Sequence, residues 1–460
     1  MKSPRLGTLA ILVALSIASA ASGQERILVL QGGTLIDGTG RPPIADAVVV
    51  VAGGRIRAVG RRGEVAIPDG ATVMQTDGRT ILPGLVDMHL HTRPWKIPLY
   101  LAHGVTTVGD IHNDTQWILG QRALLKSGII QGPRLFVSGA RVTGLNGPRL
   151  INAAGEIVED PSFVKTPAEA RAYVRYLHTL GADFVKVDAT ITDEQLASVI
   201  DESWKLGMPV LGHLQNIDTA MSFGMKEMEH LPPFFRAQLI REGKPLPKPG
   251  PQEQLELARA VDTGKFSPLI TKMVEQGVIV DVALYNWVQP VIWPAVRAEV
   301  ERLAKDPGLA FVPGEEKAAW VREPGPPSEA YKIVVAFLQQ YVAAGGKILV
   351  STDGIERSAI VPGLGLHVVM QGVEKMGIPA MTVIQAATLW PAQALGIDKD
   401  YGSVEAGKSA DFVIVDGNPL ADVTAARRIR TVIMNGTIVN TKYDPNWVNP
   451  LPRPKDAVQP

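Results

Sequence analysis

Two hydrophobic rhythms divide the chain. Between residues 26 and 84, short apolar runs alternate with Gly-rich turns, so Ile27–Leu30, Ala47–Val51 and Ile56–Val59 read as strands. The rhythm returns after residue 400, where Asp411–Val415 and Ile429–Met434 read as strands and Asn435-Gly436 as a turn. Neither piece is large enough for a good core alone. The two are therefore expected to pack together as one small β-sandwich.

The section between them keeps a different beat. Apolar strand-like runs alternate with helical patterns, the signature of βα units around a parallel sheet. In the clearest unit, Thr166-Pro167-Ala168-Glu169 is a capping box with Pro at the first helical position, Ala170, Tyr173, Val174, Leu177 and Leu180 form the apolar stripe, and Gly181 is the stop. Asp183–Val187 then reads as a buried strand, and a second helix runs from the Thr192/Gln195 capping pair to Gly207. Eight candidate strands follow this logic, near 85–91, 105–110, 134–139, 183–188, 209–213, 226–229, 278–284 and 347–352. The predicted fold class is α/β: a (β/α)8 TIM barrel, its active site at the C-terminal strand ends, with the small β-sandwich domain built from both chain ends. Pro-rich segments 231–277 and 286–340 read as long insertions after the sixth and seventh strands that shape a substrate pocket.

The predicted layout is therefore a leader at 1–23, β-sandwich strands at 24–83 and 399–441, the barrel at 84–398, and an irregular Pro- and Asn-rich tail at 442–460. The leader has basic Lys2 and Arg5, an apolar run from Leu9 to Ile17 too short to span a bilayer, and small residues at Ala18-Ser19-Ala20, the layout of a secretory signal peptide. A secreted or periplasmic protein without stable membrane insertion is the expectation. Removal of the leader after Gly23 would leave 44 basic against 46 acidic residues.

Composition narrows the chemistry. The full chain of 460 residues has 46 Lys+Arg against 46 Asp+Glu, so no basic excess points to nucleic acid. With no cysteine there is no disulfide framework, Cys-ligated zinc, iron–sulfur cluster or thiol nucleophile. Any metal must use imidazole, carboxylate or something less usual. The eight histidines thus become informative, because four fall at candidate strand ends: His89 and His91 in Asp87-Met88-His89-Leu90-His91, His213 after Gly212, and His230 after Glu229. Residues i and i+2 of a strand face the same side, so His89 and His91 can converge on one ion. Lys186 sits on the fourth strand and Asp353 at the end of the eighth, in Ser351-Thr352-Asp353-Gly354. Singly, each has an ordinary structural reading: a packed histidine, a salt-bridged lysine, a capping aspartate. Together, at matching ends of predicted barrel strands, all six would meet over one barrel mouth.

At this point the sequence resembles the metal-dependent amidohydrolase superfamily, in its imidazolonepropionase-like and prolidase-type branch. The segments that carry the resemblance are Ile81-Leu82-Pro83-Gly84-Leu85-Val86-Asp87-Met88-His89-Leu90-His91, Gly104 to Asp110, Met228-Glu229-His230, Ser351 to Gly354, and Gly402 to Asp411. The resemblance implies an enzyme with two divalent ions, zinc being the first expectation. His89, His91 and Asp353 would hold the more buried ion, and His213 and His230 the more exposed one. An N-carboxylated Lys186 would bridge them, since a carbamate, unlike an ammonium, is an anionic ligand that reduces repulsion between two cations. A metal-bridging hydroxide would hydrolyse an amide (C–N) bond of a small substrate, such as a dipeptide, cyclic amide or N-acyl amino acid, with Asp353 as proton acceptor and donor.

The sequence departs from the family at Gln215, where relatives often carry a second histidine, and at the loop Thr143-Gly144-Leu145-Asn146-Gly147. Substrate-contact candidates are His112, Gln215, Tyr285, Asn286 and His367, all in loops or turns expected near the mouth. Two other readings stay open. One is a mononuclear deaminase on the same fold, for which Asn216 stands where a glutamate is usual. The other is an exported, non-catalytic binding protein. Partners are otherwise limited to the small-molecule substrate, with a homo-oligomer left open.

Overall fold

A computed structural model describes residues 26–144, 161–248 and 252–454. The leader at 1–23, loop residues 145–147 and the end of the tail at 455–460 lie outside the described residues. Eight parallel strands alternate with helices in the middle section, at the positions the apolar runs predict. They are β1 (Leu85–Leu90), β2 (Val105–Asp110), β3 (Arg134–Val137), β4 (Val185–Val187), β5 (Val210–Gly212), β6 (Glu227–Glu229), β7 (Ile279–Asp281) and β8 (Lys347–Leu349). Nearly every residue in them is buried, as parallel strands covered on both faces require.

The closed eight-stranded ring expected from the sequence is met only in part. The ladders fall into three groups, β1–β2–β3, β4–β5 and β6–β7–β8. Five of the eight strands are only three residues long, so ladders are brief and the seams at β3–β4 and β8–β1 are bridged by backbone bonds outside the named ladders. Beyond β3, Val142 N–H donates to the Lys186 carbonyl at 2.8 Å. Between β8 and β1, Asp353 N–H donates to the His89 carbonyl at 2.8 Å, and Leu90 bridges Gly354.

Both predicted helix starts are present, with one difference. Thr192 and Gln195 cap each other reciprocally, whereas Glu169 reaches back to the N–H of Lys165 and not to that of Thr166. The segments after β6 and β7 are helical, including Pro232–Arg241, Ser267–Glu275, Tyr285–Ala304 and Tyr331–Ala343.

The β-rich chain ends do meet. Arg79–Pro83 pairs antiparallel with Phe412–Asp416 in a six-stranded sheet. The second sheet, of four strands, comes only from the N-terminal piece. Leu30, Val49 and Ile56 of the smaller sheet share an apolar core with Ile81, Phe412 and Ile433 of the larger. The tail has no helix or strand in its described part, yet it is docked: the Leu451 carbonyl accepts from Trp117 Nε1 at 3.2 Å and Gln121 Nε2 at 2.8 Å. Among the described residues no helix is long and apolar enough to cross a membrane.

Candidate metal centre

The C-terminal ends of β1, β4, β5, β6 and β8 bring together all six predicted ligands. The β1–β2 register shifts between Asp87 and Leu90, so His89 lies within the irregularity and His91 just beyond the strand's end. Their Nε2 atoms each lie 3.4 Å from Asp353 Oδ1. At β5, Gly212 has φ 150°, and a Cβ there would sit 2.3 Å from the Val187 carbonyl. Only glycine allows that close approach, which sets His213 beside β4. His213 and His230 face each other with Nε2 atoms 2.7 Å apart. Three non-glycine residues with positive φ mark these strand ends, His230 at 60°, Ala283 at 48° and Asp353 at 51°. Such backbone is costly and concentrates where function holds it.

The second nitrogens of the β1 histidines are occupied. His89 Nδ1–H donates to Asp281 Oδ2 at 2.8 Å, and His91 Nδ1–H donates to the His112 carbonyl at 3.2 Å. Both Nε2 atoms are thereby turned toward Asp353, the arrangement that orients imidazole for a cation. Ligand atoms of His89, His230 and Asp353 lie within 4.8 Å of one another, as do those of His213, Glu229 and His230. The donor set of nitrogen and carboxylate oxygen suits a divalent ion of the zinc type.

Electrostatics follow from burial. Burial lowers the His89 imidazole, but Asp281 and Asp353 outweigh it and raise it to about 9. Burial raises Asp353, but His89 and His91 outweigh it and hold the carboxyl well below its usual range. Burial, with the charge of His89, takes His230 down to about 4. Burial also pushes Lys186 down to about 8, against the opposing pull of Glu227, Asp353 and Asp281. Burial thus shifts Lys186 toward the neutral amine, the form that reacts with carbon dioxide. In the structure Lys186 Nζ pairs with Glu229 Oε2.

The substrate candidates fare less well. His112 supports the site and faces no open space, since its carbonyl holds His91 and its Nδ1 accepts from Arg141 N–H at 3.1 Å. His367 lies behind the site, donating from Nε2 to the His103 carbonyl at 2.8 Å. The Tyr285 hydroxyl donates to the Ala359 carbonyl at 2.7 Å. Gln215 is exposed and accepts from Arg236 Nη1 at 3.0 Å, and Asn286 is exposed at a helix start.

Several contributors escaped the sequence reading. Asp281, at the end of β7, holds His89 and also accepts from Ser351 Oγ. Its place at a strand end is the signal that would have found it. Asp87 accepts from Thr352 N–H at 3.2 Å and Oγ1 at 2.7 Å, tying β1 to the loop that carries Asp353. Lys96, fully buried, donates to the carbonyls of His91 at 2.9 Å and Gly354 at 2.6 Å, and so clamps both ligand-bearing segments.

The amidohydrolase family profile matches residues 99–439, well over half of the chain. The chain belongs to the amidohydrolase family. An adenine deaminase of Rubrobacter xylanophilus is 23% identical over 433 residues, which span 92% of this chain but only 58% of that relative's length. Among solved structures, phenylurea hydrolase B superposes with a TM-score of 0.66 at 22% identity, covering 93% of this chain and all (100%) of that one. A Xaa-Pro dipeptidase gives 0.64 at 20%, covering 90% of this chain and all (100%) of that one. At these identities the two superpositions establish the α/β barrel-like fold of this amidohydrolase.

Proposed function

We propose that this amidohydrolase is an exported, two-metal hydrolase that cleaves a carbon–nitrogen bond of a small amide, such as a dipeptide, cyclic amide or N-acyl amino acid. The reading includes a closed (β/α)8 barrel with a β-sandwich domain. The observation that carries it is the convergence of His89, His91, Asp353, Lys186, His213 and His230 on one mouth, with the β1 imidazoles turned inward by Asp281 and the His112 carbonyl. His89, His91 and Asp353 would hold one ion, and His213 and His230 the other, with Lys186, as its carbamate, between them. Bound divalent ions lower the pKa of water and polarise a carbonyl oxygen. The chain's own part is to place and move the proton. Asp353, whose side chain is 26% exposed, is held as the carboxylate by His89 and His91, reaches open space, and can take a proton and return it to the leaving nitrogen.

The test is metal-loaded mature protein screened against Xaa-Pro dipeptides, cyclic amides and N-acyl amino acids, with metal counted per chain and cell fractions probed for the protein. Two metals and amide turnover outside the cytoplasm are expected. Metal-loaded protein inert on every class would sink the reading.

A second reading, a one-metal deaminase, is favoured by the name of the Rubrobacter relative. Against it, the Asn216 side chain caps the helix Ile217–Ser222 by accepting from Asp218 and Thr219 N–H, and an amide is no general acid or base. One ion per chain with ammonia released from adenine would reverse the ranking.

A further inference from the structure

We propose that Glu229 is a metal ligand, its carboxylate completing with His213 and His230 the second divalent-ion site; this rests on the two-metal reading above. Glu229 ends β6 immediately before His230, whose positive φ turns the two side chains toward the same space. Its Oε2 lies 3.3 Å from His213 Nε2, and ligand atoms of Glu229, His213 and His230 are all within 4.8 Å of one another. Its Oε1 is buried without a hydrogen-bond partner among the described residues. A fully buried carboxylate with an unmet oxygen is expensive, and a cation is what relieves it.

Lys186 supplies that cation only while it stays an ammonium. As a carbamate it would set a second anion against Glu229, and a divalent ion is then the replacement counter-charge. The site would gain a carboxylate beside its two imidazoles, as histidine-and-carboxylate zinc sites have. On this proposal the carbamate of Lys186 and Glu229 would share the ion as counter-charge instead of pairing with each other.

The experiment strips wild-type and Glu229→Gln full-length protein with a chelator, then titrates with cobalt(II). Metal per chain is read by elemental analysis and coordination by visible absorption. Wild type should bind two ions. Glu229→Gln should keep the first unchanged and bind the second at least ~10-fold more weakly, with a changed absorption band, and Glu229→Asp should recover part of the loss. Two ions at wild-type affinity in Glu229→Gln overturn the proposal. Wild type that takes up at most one ion overturns the two-metal reading, and the proposal with it. Should Glu229→Gln fail to fold, anomalous diffraction from cobalt-loaded wild type decides. A Glu229 oxygen at about 2.0–2.2 Å from the ion supports the assignment. An ion held by the histidines alone, with Glu229 still on Lys186, defeats it.

Discussion

Two pairs of buried histidines occupy this barrel-like fold, and their fates diverge. At the mouth, His89 and His91 spend Nδ1 on Asp281 and on the His112 carbonyl, so both Nε2 atoms face Asp353. Behind it, His367 spends Nε2 on the His103 carbonyl, and the two rings lie 6.4 Å apart. Burial, with His367 and the cations Arg302 and Arg427 nearby, takes His103 down to about 3, and burial takes His367 down to about 4. Both pairs have lost water, but only the first has carboxylates. The difference teaches that burial does not mark a working imidazole. What its two nitrogens meet does.

The sharpest way to break the comparison is to neutralise the carboxylate the mouth pair shares. Asp353→Asn should lower kcat on the best substrate by about 10²–10⁴-fold, and near-wild-type turnover would remove the distinction between the pairs. Next is the carboxylate that turns His89. Asp281→Asn should weaken metal binding about 10- to 100-fold in chelator competition, and unchanged affinity would leave the orientation argument without support.

The rear pair should respond to acid and not to metal. Each folded-state pKa is depressed below the unfolded value of about 6.5, so the unfolded chain takes up protons first as pH falls. Their stability contribution is present above about pH 6.5 and lost toward about pH 4, on the order of 1.4 kcal/mol per pH unit for each histidine. Thermal melts of chelator-treated His367→Gln across that range should show a shallower slope than wild type; an identical slope would refute the assignment. The smallest expected effect sharpens the same contrast: His367→Gln at pH 7 should keep wild-type metal content and kcat, and a change in either would place His367 in the working site.

Much of this was legible in the chain. The eight strands follow from apolar runs bounded by turns, and the ligands from their position at strand ends, where the i, i+2 spacing of His89 and His91 needs no tertiary knowledge. The supporting polar residues were harder to read. Asp281 matters because β7 folds against β8 and faces β1, a relation between segments about 190 residues apart in the chain. Loop position names His112 and His367 as substrate candidates, whereas burial and backbone partners decide what a histidine does, and both rings are buried against backbone groups. The ladders show only part of the expected ring because apolar runs report buried length, whereas a ladder needs paired backbone, and β4 to β8 supply only three residues each.

The antiparallel pairing of Arg79–Pro83 with Phe412–Asp416 also bears on how the molecule assembles. Leu82 and its partner Val413 are separated in the chain by the whole intervening α/β section. Contacts of such sequence separation slow folding, because the loop between them must close before they add stability. Until then Arg79–Pro83 has its parallel neighbour Thr34–Leu35 on one side and an open edge on the other. Capture of that edge by the C-terminal strand is therefore expected to come late in folding, and a slow refolding phase sensitive to substitutions at Phe412 or Ile414 would be its kinetic signature.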